Sequence, residues 1–345
     1  MKPKTVIFFV IIVAMLINLA GIFYFYVISS NILEEKAIQH LQTAAESRAS
    51  HIETFLEGKK GRAIDFSSDG FIKNKLIELR QGADILTIAN ELKEHFIVNK
   101  FPTDDDLFEI DVLDANGIVI GTTQIEEELG EDFSQKDFFV EGKKEAYIKD
   151  VFYDDEFDRN AIAFSAPIID KGEFLGVVVI KMGLEALADI TIDRTGLGET
   201  GEIYIINSDG YLITPSRFLS GNEGLLTQVV DTENSKKCFE GLVLYGVFDE
   251  EELAEHSKTS GGIIFEDYRG EVTLGVHSHV IGQTWCLLAQ IDESEVLKEP
   301  RQKLLVVSLF ILLVTALFLF LLAHFSGRFL DKRIKLRRGK YANKK

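Results

Sequence analysis

Two lysines pose the first chemical question. Lys181 sits near the end of "GVVVIKM" (176–182), where consecutive Val and Ile read as a buried strand and an ammonium group interrupts it. Lys136 stands in "SQKDFF" (134–139), just ahead of Phe138 and Phe139. Two ammonium groups facing one partly dry cavity repel each other and lose hydration. An anion held between them would relieve both, with charge-assisted hydrogen bonds of roughly 1.5–3 kcal/mol each. Were the two lysines to share a cavity, it would favour a monocarboxylate, a hydroxy acid or a short dicarboxylate. The plainer readings are a strand-end lysine whose head reaches water along an apolar stem, and an exposed loop charge.

Elements that could position these residues follow from periodicity. Leu33, Ala37, Leu41, Ala44, Ala45, Ala49, Ile52 and Leu56 recur at three- and four-residue steps, which predicts a long helix over 31–60. A second helical piece is expected over 72–98, carrying Leu76, Leu79, Ile85, Ile88, Leu92 and Phe96. The period then changes to two. "LFEIDVLDANGIVIGTT" (107–123) reads as a hairpin around "DANG", and "APIIDKGEFLGVVVIKM" (166–182) as another around "DKGE". "LEALADITI" (184–192) is helical in pattern. "GEIYIINSDGYLITPS" (201–216) repeats the first hairpin, and "VTLGVHSHVIGQTWCLLAQIDESEV" (272–296) echoes the second with its helix. The reading is α+β: a long N-terminal helix carrying two tandem antiparallel-sheet modules.

Charge and hydropathy set the surroundings. Residues 5–29 and 304–325 are uncharged if His324 is neutral, and each run exceeds the roughly 20 residues that cross a bilayer as a helix. The first is read as an uncleaved anchor rather than a signal peptide, whose apolar region spans only about 7–15 residues. Basic residues cluster before the first run and after the second, which predicts both termini cytoplasmic and residues 30–303 extracytoplasmic in a two-pass plasma-membrane protein. The tails hold 11 of the 37 Lys and Arg residues, leaving 26 basic against 54 acidic residues elsewhere. So acidic a surface argues against nucleic acid as a partner. The basic tail, 326–345, is expected to meet anionic lipid. Cys238 and Cys286 are expected as free or buried thiols, with pairing as the alternative.

The order of these elements resembles the double Cache sensor domain of prokaryotic histidine kinases, chemoreceptors and cyclic-nucleotide enzymes. The strings that carry the resemblance are "SQKDFF", "TGLGETGEIYIINSDGYLITPS", "DYRGEVTLGV" and "TWCLLAQIDESEV". It implies a helical stalk over 31–98, a membrane-distal ligand module over 99–190 and a membrane-proximal module over 191–300. It implies a ligand site built on a basic-x-aromatic-aromatic motif, here Lys136 to Phe139, and on the residue at position 181. Amino-acid-binding members carry Asp at that strand position. The Lys181 of this chain is similar to the dicarboxylate-sensing members, and it would repel a ligand's own ammonium. Lys for Arg and Phe for Tyr depart from the commoner motif and weaken bidentate recognition. Tyr147, Tyr153, Ser165, Thr122 and Thr123 are the other expected wall residues.

No arrangement of Ser, His and Asp or of Cys and His has supporting context, so no enzyme and no cofactor are expected. His277 and His279 share a strand face without a third metal ligand, and the acidic runs 104–106 and 154–158 lack calcium-loop spacing. Gly196-x-Gly198-x-x-Gly201 precedes a strand instead of following one and opening a helix, so it is no dinucleotide fingerprint. The expectation is a signal-transduction sensor that closes its distal module on a carboxylate, within a parallel homodimer. About 20 residues follow the second apolar run. They predict a shortened receptor, a sensor working through a cytoplasmic kinase or receptor partner, or a deliberately shortened chain. The rival reading is a scaffold ectodomain with a vestigial pocket, acting through protein contacts.

Overall fold

The computed structural model describes residues 3–219, 224–245, 262–280, 282–298, 301–318 and 320–321. The basic tail at 326–345 and the end of the second apolar run lie outside the described residues. The chain divides into two compact units, 38–292 and a second formed by 1–37 with 293–345.

Helix α1 runs from Pro3 to Ser67. Its N-terminal part is apolar all round, with Leu16, Phe23 and Tyr24 exposed, a pattern that suits a hydrocarbon surrounding. Among the described residues, two helical stretches are long and apolar enough to cross a membrane, within Ile12–Ser67 and Glu293–Phe318, with mean hydropathies of 2.1 and 1.9.

In the larger unit, Leu41, Ala45, Ala49, Ile52, Leu56, Ala63 and Phe66 bury one stripe of α1. Helices α2 (Gly70–Arg80) and α3 (Ile85–His95) follow. The single helix expected over 72–98 is interrupted between them. Gly82 takes a φ of +97°, which favours glycine, and the Asp84 side chain accepts from the Thr87 N–H to cap α3. Both are stop and start signals that an apolar stripe alone conceals.

The distal sheet has the order β2-β1-β5-β4-β3, all antiparallel: β1 (Leu107–Asp114), β2 (Val119–Thr122), β3 (Tyr147–Asp154), β4 (Arg159–Asp170) and β5 (Glu173–Gly183). The "DKGE" bend joins β4 to β5 with Lys171 and Gly172 both at positive φ, as tight hairpins prefer. Two short helical turns, α4 (Ile125–Glu128) and α5 (Asp137–Val140), lie between β2 and β3. Helix α6 (Glu185–Ile192) leads to the proximal sheet, order β6-β9-β8-β7: β6 (Glu202–Ile206), β7 (Ile263–Glu266), β8 (Val272–His279) and β9 (Cys286–Asp292). Helix α7 (Glu233–Tyr245) contacts β8 and β9, and α8 (Glu293–Val296) follows β9. The expected third hairpin is only half present. Opposite the end of β6, residues 211–213 make an isolated bridge, Ile206 to Leu212, with bonds from the Ile213 N–H to the Ile205 carbonyl and from the Asn207 N–H to the Tyr211 carbonyl.

Cys238 and Cys286 form a disulfide with Cα atoms 6.2 Å apart, which corrects the expectation of free thiols. Both cysteines are fully buried, so α7 is stapled to β9 inside an apolar cluster with Tyr204, Ile206 and Leu288. One polar bond crosses between the modules: Trp285 Nε1 donates to Asp150 Oδ1 at 2.6 Å, with the indole fully buried.

Candidate functional site

Strand β5 is buried on both faces. Val178, Ile180 and Met182 join the large cluster that includes α1, α2 and α3. Val177 and Val179 face the other way, into a small cluster with Leu113, Val119, Ala163, Phe138 and Phe139. Lys181 continues this second face by the two-residue period of a strand. It is 4% exposed, so the ammonium does not reach solvent.

It does not await an anion either. Lys181 Nζ is in ion-pair contact with Glu109, and lies 3.4 Å from Glu128 Oε1, 3.4 Å from Asp154 Oδ2 and 3.8 Å from Asp111 Oδ2. Glu109 pairs with Lys181 across the β1–β5 ladder, and Asp111 lies two residues on along the same face. Asp154 ends β3 and Glu128 ends α4. Thr122 Oγ1 donates to Glu128 Oε2 at 2.8 Å. Glu156 adjoins the group, with one oxygen each of Glu109, Glu128 and Glu156 within 4.8 Å of one another.

Burial first, then the Asp111 carboxylate, push Glu109 up to about 10. Burial likewise raises Asp111 well above the carboxylate range. The hydrogen bond with Glu128, followed by burial, lifts Glu156 to about 7. Burial opposes the charge on Lys181, but Asp111, Glu109 and Glu128 outweigh it and keep the amine protonated. The convergence of Lys136 and Lys181 on one cavity is therefore corrected: Lys181 is paired with acids and Lys136 is exposed. A carboxylate would enter a face where acids outnumber the single ammonium.

The other expected wall residues separate into two groups. Phe138 and Phe139 are buried on the Lys181 face. Ser165 sits on β4 in register with Val179 and Tyr147, so these share that face, with Tyr147 half-buried. Ser165 is fully buried, and its hydroxyl has no hydrogen-bond partner; neither has that of Thr123. Gly142 lies against Ser165 so closely that a Cβ there would overlap the Ser165 hydroxyl and the Phe138 carbonyl. The segment after α5 thus lies directly on the sheet.

Lys136 and Tyr153 are not brought to this face. Lys136 is exposed, its Nζ 5.7 Å from the Phe133 ring centroid. The β3–β4 register shifts between Lys149 and Phe152, which turns Phe152 inward and Tyr153 to the opposite side. Tyr153 is 50% exposed and bonds Asp158. Sequence reasoning missed Glu109, Asp111, Glu128 and Asp154. A signal for the first two was present: in "FEIDV" acids alternate with Phe108, Ile110 and Val112, so both acids share one face of a strand. His277 and His279, expected not to hold a metal, bond Asn234 Oδ1 and the Cys238 carbonyl, each at 3.0 Å.

A long helix bearing two antiparallel sheets is the architecture of a double Cache domain. The chain belongs to the Cache-domain family, whose profile matches residues 29–299. Solved structures share the fold at low identity. The sensory domain of the Campylobacter jejuni chemoreceptor Tlp3 is 15% identical, with a TM-score of 0.53 over 79% of this chain and 99% of that one. The sensor domain of the Vibrio cholerae histidine kinase DctB is 13% identical, with a TM-score of 0.52 over 74% and 96%. The ligand-binding domain of the Pseudomonas aeruginosa amino acid chemoreceptor PctC, solved with GABA, is 17% identical, with a TM-score of 0.50 over 74% and 99%. No curated protein sequence matches the chain.

Proposed function

We propose that this chain is the ligand-sensing part of a membrane receptor. Helices near each end of the chain anchor it, residues 30–303 lie outside the cytoplasm, and a small ligand binds on the α5 face of the distal sheet. The wall would consist of Phe138, Phe139, Tyr147, Ser165, Thr123 and the Lys181 surroundings. Lys136, at the head of α5, would sit at its rim.

The observation that carries this reading is the pair of buried polar groups without hydrogen-bond partners on that one face, the Ser165 hydroxyl and the Asp111 carboxyl. Leaving such groups unpaired costs about 1–3 kcal/mol each, and a ligand that pairs them recovers it. Family membership and the sensory domains that share the fold support the same role. A ligand shifts signalling only through its differential affinity for two states. The long α1, in a parallel homodimer with a cytoplasmic kinase or receptor partner, would carry that difference inward.

The test is thermal melting of the full chain in nanodiscs against a panel of amino acids, amines, organic acids and metal ions. A ligand-dependent rise, lost in Ser165→Leu, is the expected result. No response to any member would favour a scaffold that works by protein contact.

A further inference from the structure

Acidic side chains outnumber the one ammonium around Lys181. Four buried carboxylates contact one ammonium, and Glu156 adds a fifth beside Glu128. Glu109 and Asp111 are both fully buried. Glu109 meets the Lys181 ammonium, whereas neither Asp111 oxygen receives a hydrogen bond of good geometry, the ammonium lying 3.8 Å away. The Asp111 carboxyl is a second observation, separate from the mere crowding of acids: a fully buried polar side chain that faces the cluster without a hydrogen-bond partner.

We propose that this cluster is a binding site for a hard divalent cation, with calcium, magnesium and manganese as the candidates. The proposal rests on the reading of this face as the ligand site. Glu109, Glu128 and Glu156 would be the ligands. Their oxygens lie within 4.8 Å of one another. Two oxygens bound to one calcium at about 2.3–2.6 Å can be at most about 4.6–5.2 Å apart, so little movement is needed. Only oxygen donors converge there, which selects hard cations over zinc or copper. Thr122 orients Glu128 by its 2.8 Å hydrogen bond. Glu109 and Glu128 are buried and Glu156 is exposed, which gives the cation a route from solvent.

Lys181 then has a defined part. It is a tethered cation that offsets some of the negative charge, and it competes electrostatically with the one that arrives. Deleting its charge should therefore tighten cation binding. An anion receptor would behave the other way, because losing the ammonium would abolish binding.

The experiment is isothermal titration of the full chain in nanodiscs, stripped with EDTA, using calcium, magnesium and manganese chlorides in turn. Saturable binding is expected for at least one of them. Glu156→Gln should weaken it by about tenfold or more, since affinity follows ligand charge. Lys181→Met should strengthen it by about tenfold. Glu156 is exposed, so its variant reads the site even if changes at Lys181 or Glu109 perturb folding. No binding of the three ions to either the wild type or Lys181→Met, or binding unchanged in Glu156→Gln, would overturn the proposal. Binding of 1,4-diaminobutane with no response to the ions would also overturn it and leave the sensor reading standing. Failure of the whole ligand panel would remove both.

Discussion

The two modules both bury acidic residues and treat them in opposite ways. In the proximal sheet, Glu202 Oε1 accepts from Tyr268 and Gln290 at 2.9 Å each, and Oε2 accepts from Ser216 at 2.9 Å and the Arg217 N–H at 3.2 Å. Asp267 accepts from the Arg269 backbone at 2.8 Å and its Nε at 2.6 Å, and from Gln290 at 3.0 Å. Arg269 also reaches Asp292 at 2.6 Å. These acids have donors, and the network is complete without any ligand. In the distal sheet, Glu109 takes the Lys181 ammonium, and Asp111 is left without a hydrogen-bond donor of good geometry. A satisfied network holds a fold together, whereas an unsatisfied one leaves room for something to bind. Burial and acidity are common to both, so satisfaction is the property that separates scaffold from site.

The largest effect that would break this contrast is at Arg269. Arg269→Met leaves Asp267 and Asp292 without their cation, and should cost about 3–5 kcal/mol, read as a lower denaturant midpoint. No loss there would mean the proximal network is not structural. Removing the Cys238–Cys286 staple comes next. The bridge spans a separation of 48 residues, and the Cys238→Ala, Cys286→Ala double variant should lose about 2–4 kcal/mol.

Acidity should act on the two modules with opposite signs. Burial holds His277 down at about 4. The unfolded chain then binds the extra proton first, so the His277 contribution is complete above the usual pKa of 6.5 and is lost as pH falls toward 4. Glu156 is raised to about 7. Its folded form keeps a proton that the unfolded chain gives up, so its contribution declines as pH rises from 4.5 to about 7. Melting curves of wild type, His277→Gln and Glu156→Gln between those limits should show the wild-type-minus-variant differences moving in opposite directions.

The smallest effect is the most discriminating between modules. Glu202→Gln should destabilise by about 1–3 kcal/mol, because it disturbs a fully paired carboxylate. Glu109→Gln should be close to neutral, because a carboxyl raised to about 10 is already protonated at neutral pH and the amide replaces an uncharged group of the same shape. Equal losses in the two variants would erase the distinction.

The sequence showed much of this architecture and little of the site's charge. The stripe from Leu41 to Leu56, the "DANG" and "DKGE" bends and the α6 pattern are local signals, and they are present where periodicity placed them. The break at Gln81–Asp84 was hidden because the apolar spacing continues across it. Lys181 stood out as a charge in a buried run, but its partners are 72, 70, 53 and 27 residues away in sequence, at Glu109, Asp111, Glu128 and Asp154. Strand order brings those partners to it, and strand order is a long-range property. Tyr153 was misplaced by a register shift that no local pattern announces. Ser165, Phe138 and Phe139, expected from the resemblance to the double Cache family, lie on the Lys181 face.

The central claim is that Lys181 serves the protein's own carboxylates and is not a receptor for an anion. Isothermal titration of the wild-type chain in nanodiscs with acetate, lactate and succinate tests it most directly. The account predicts no saturable heat from any of the three. A saturable carboxylate site that disappears in Lys181→Met would contradict it.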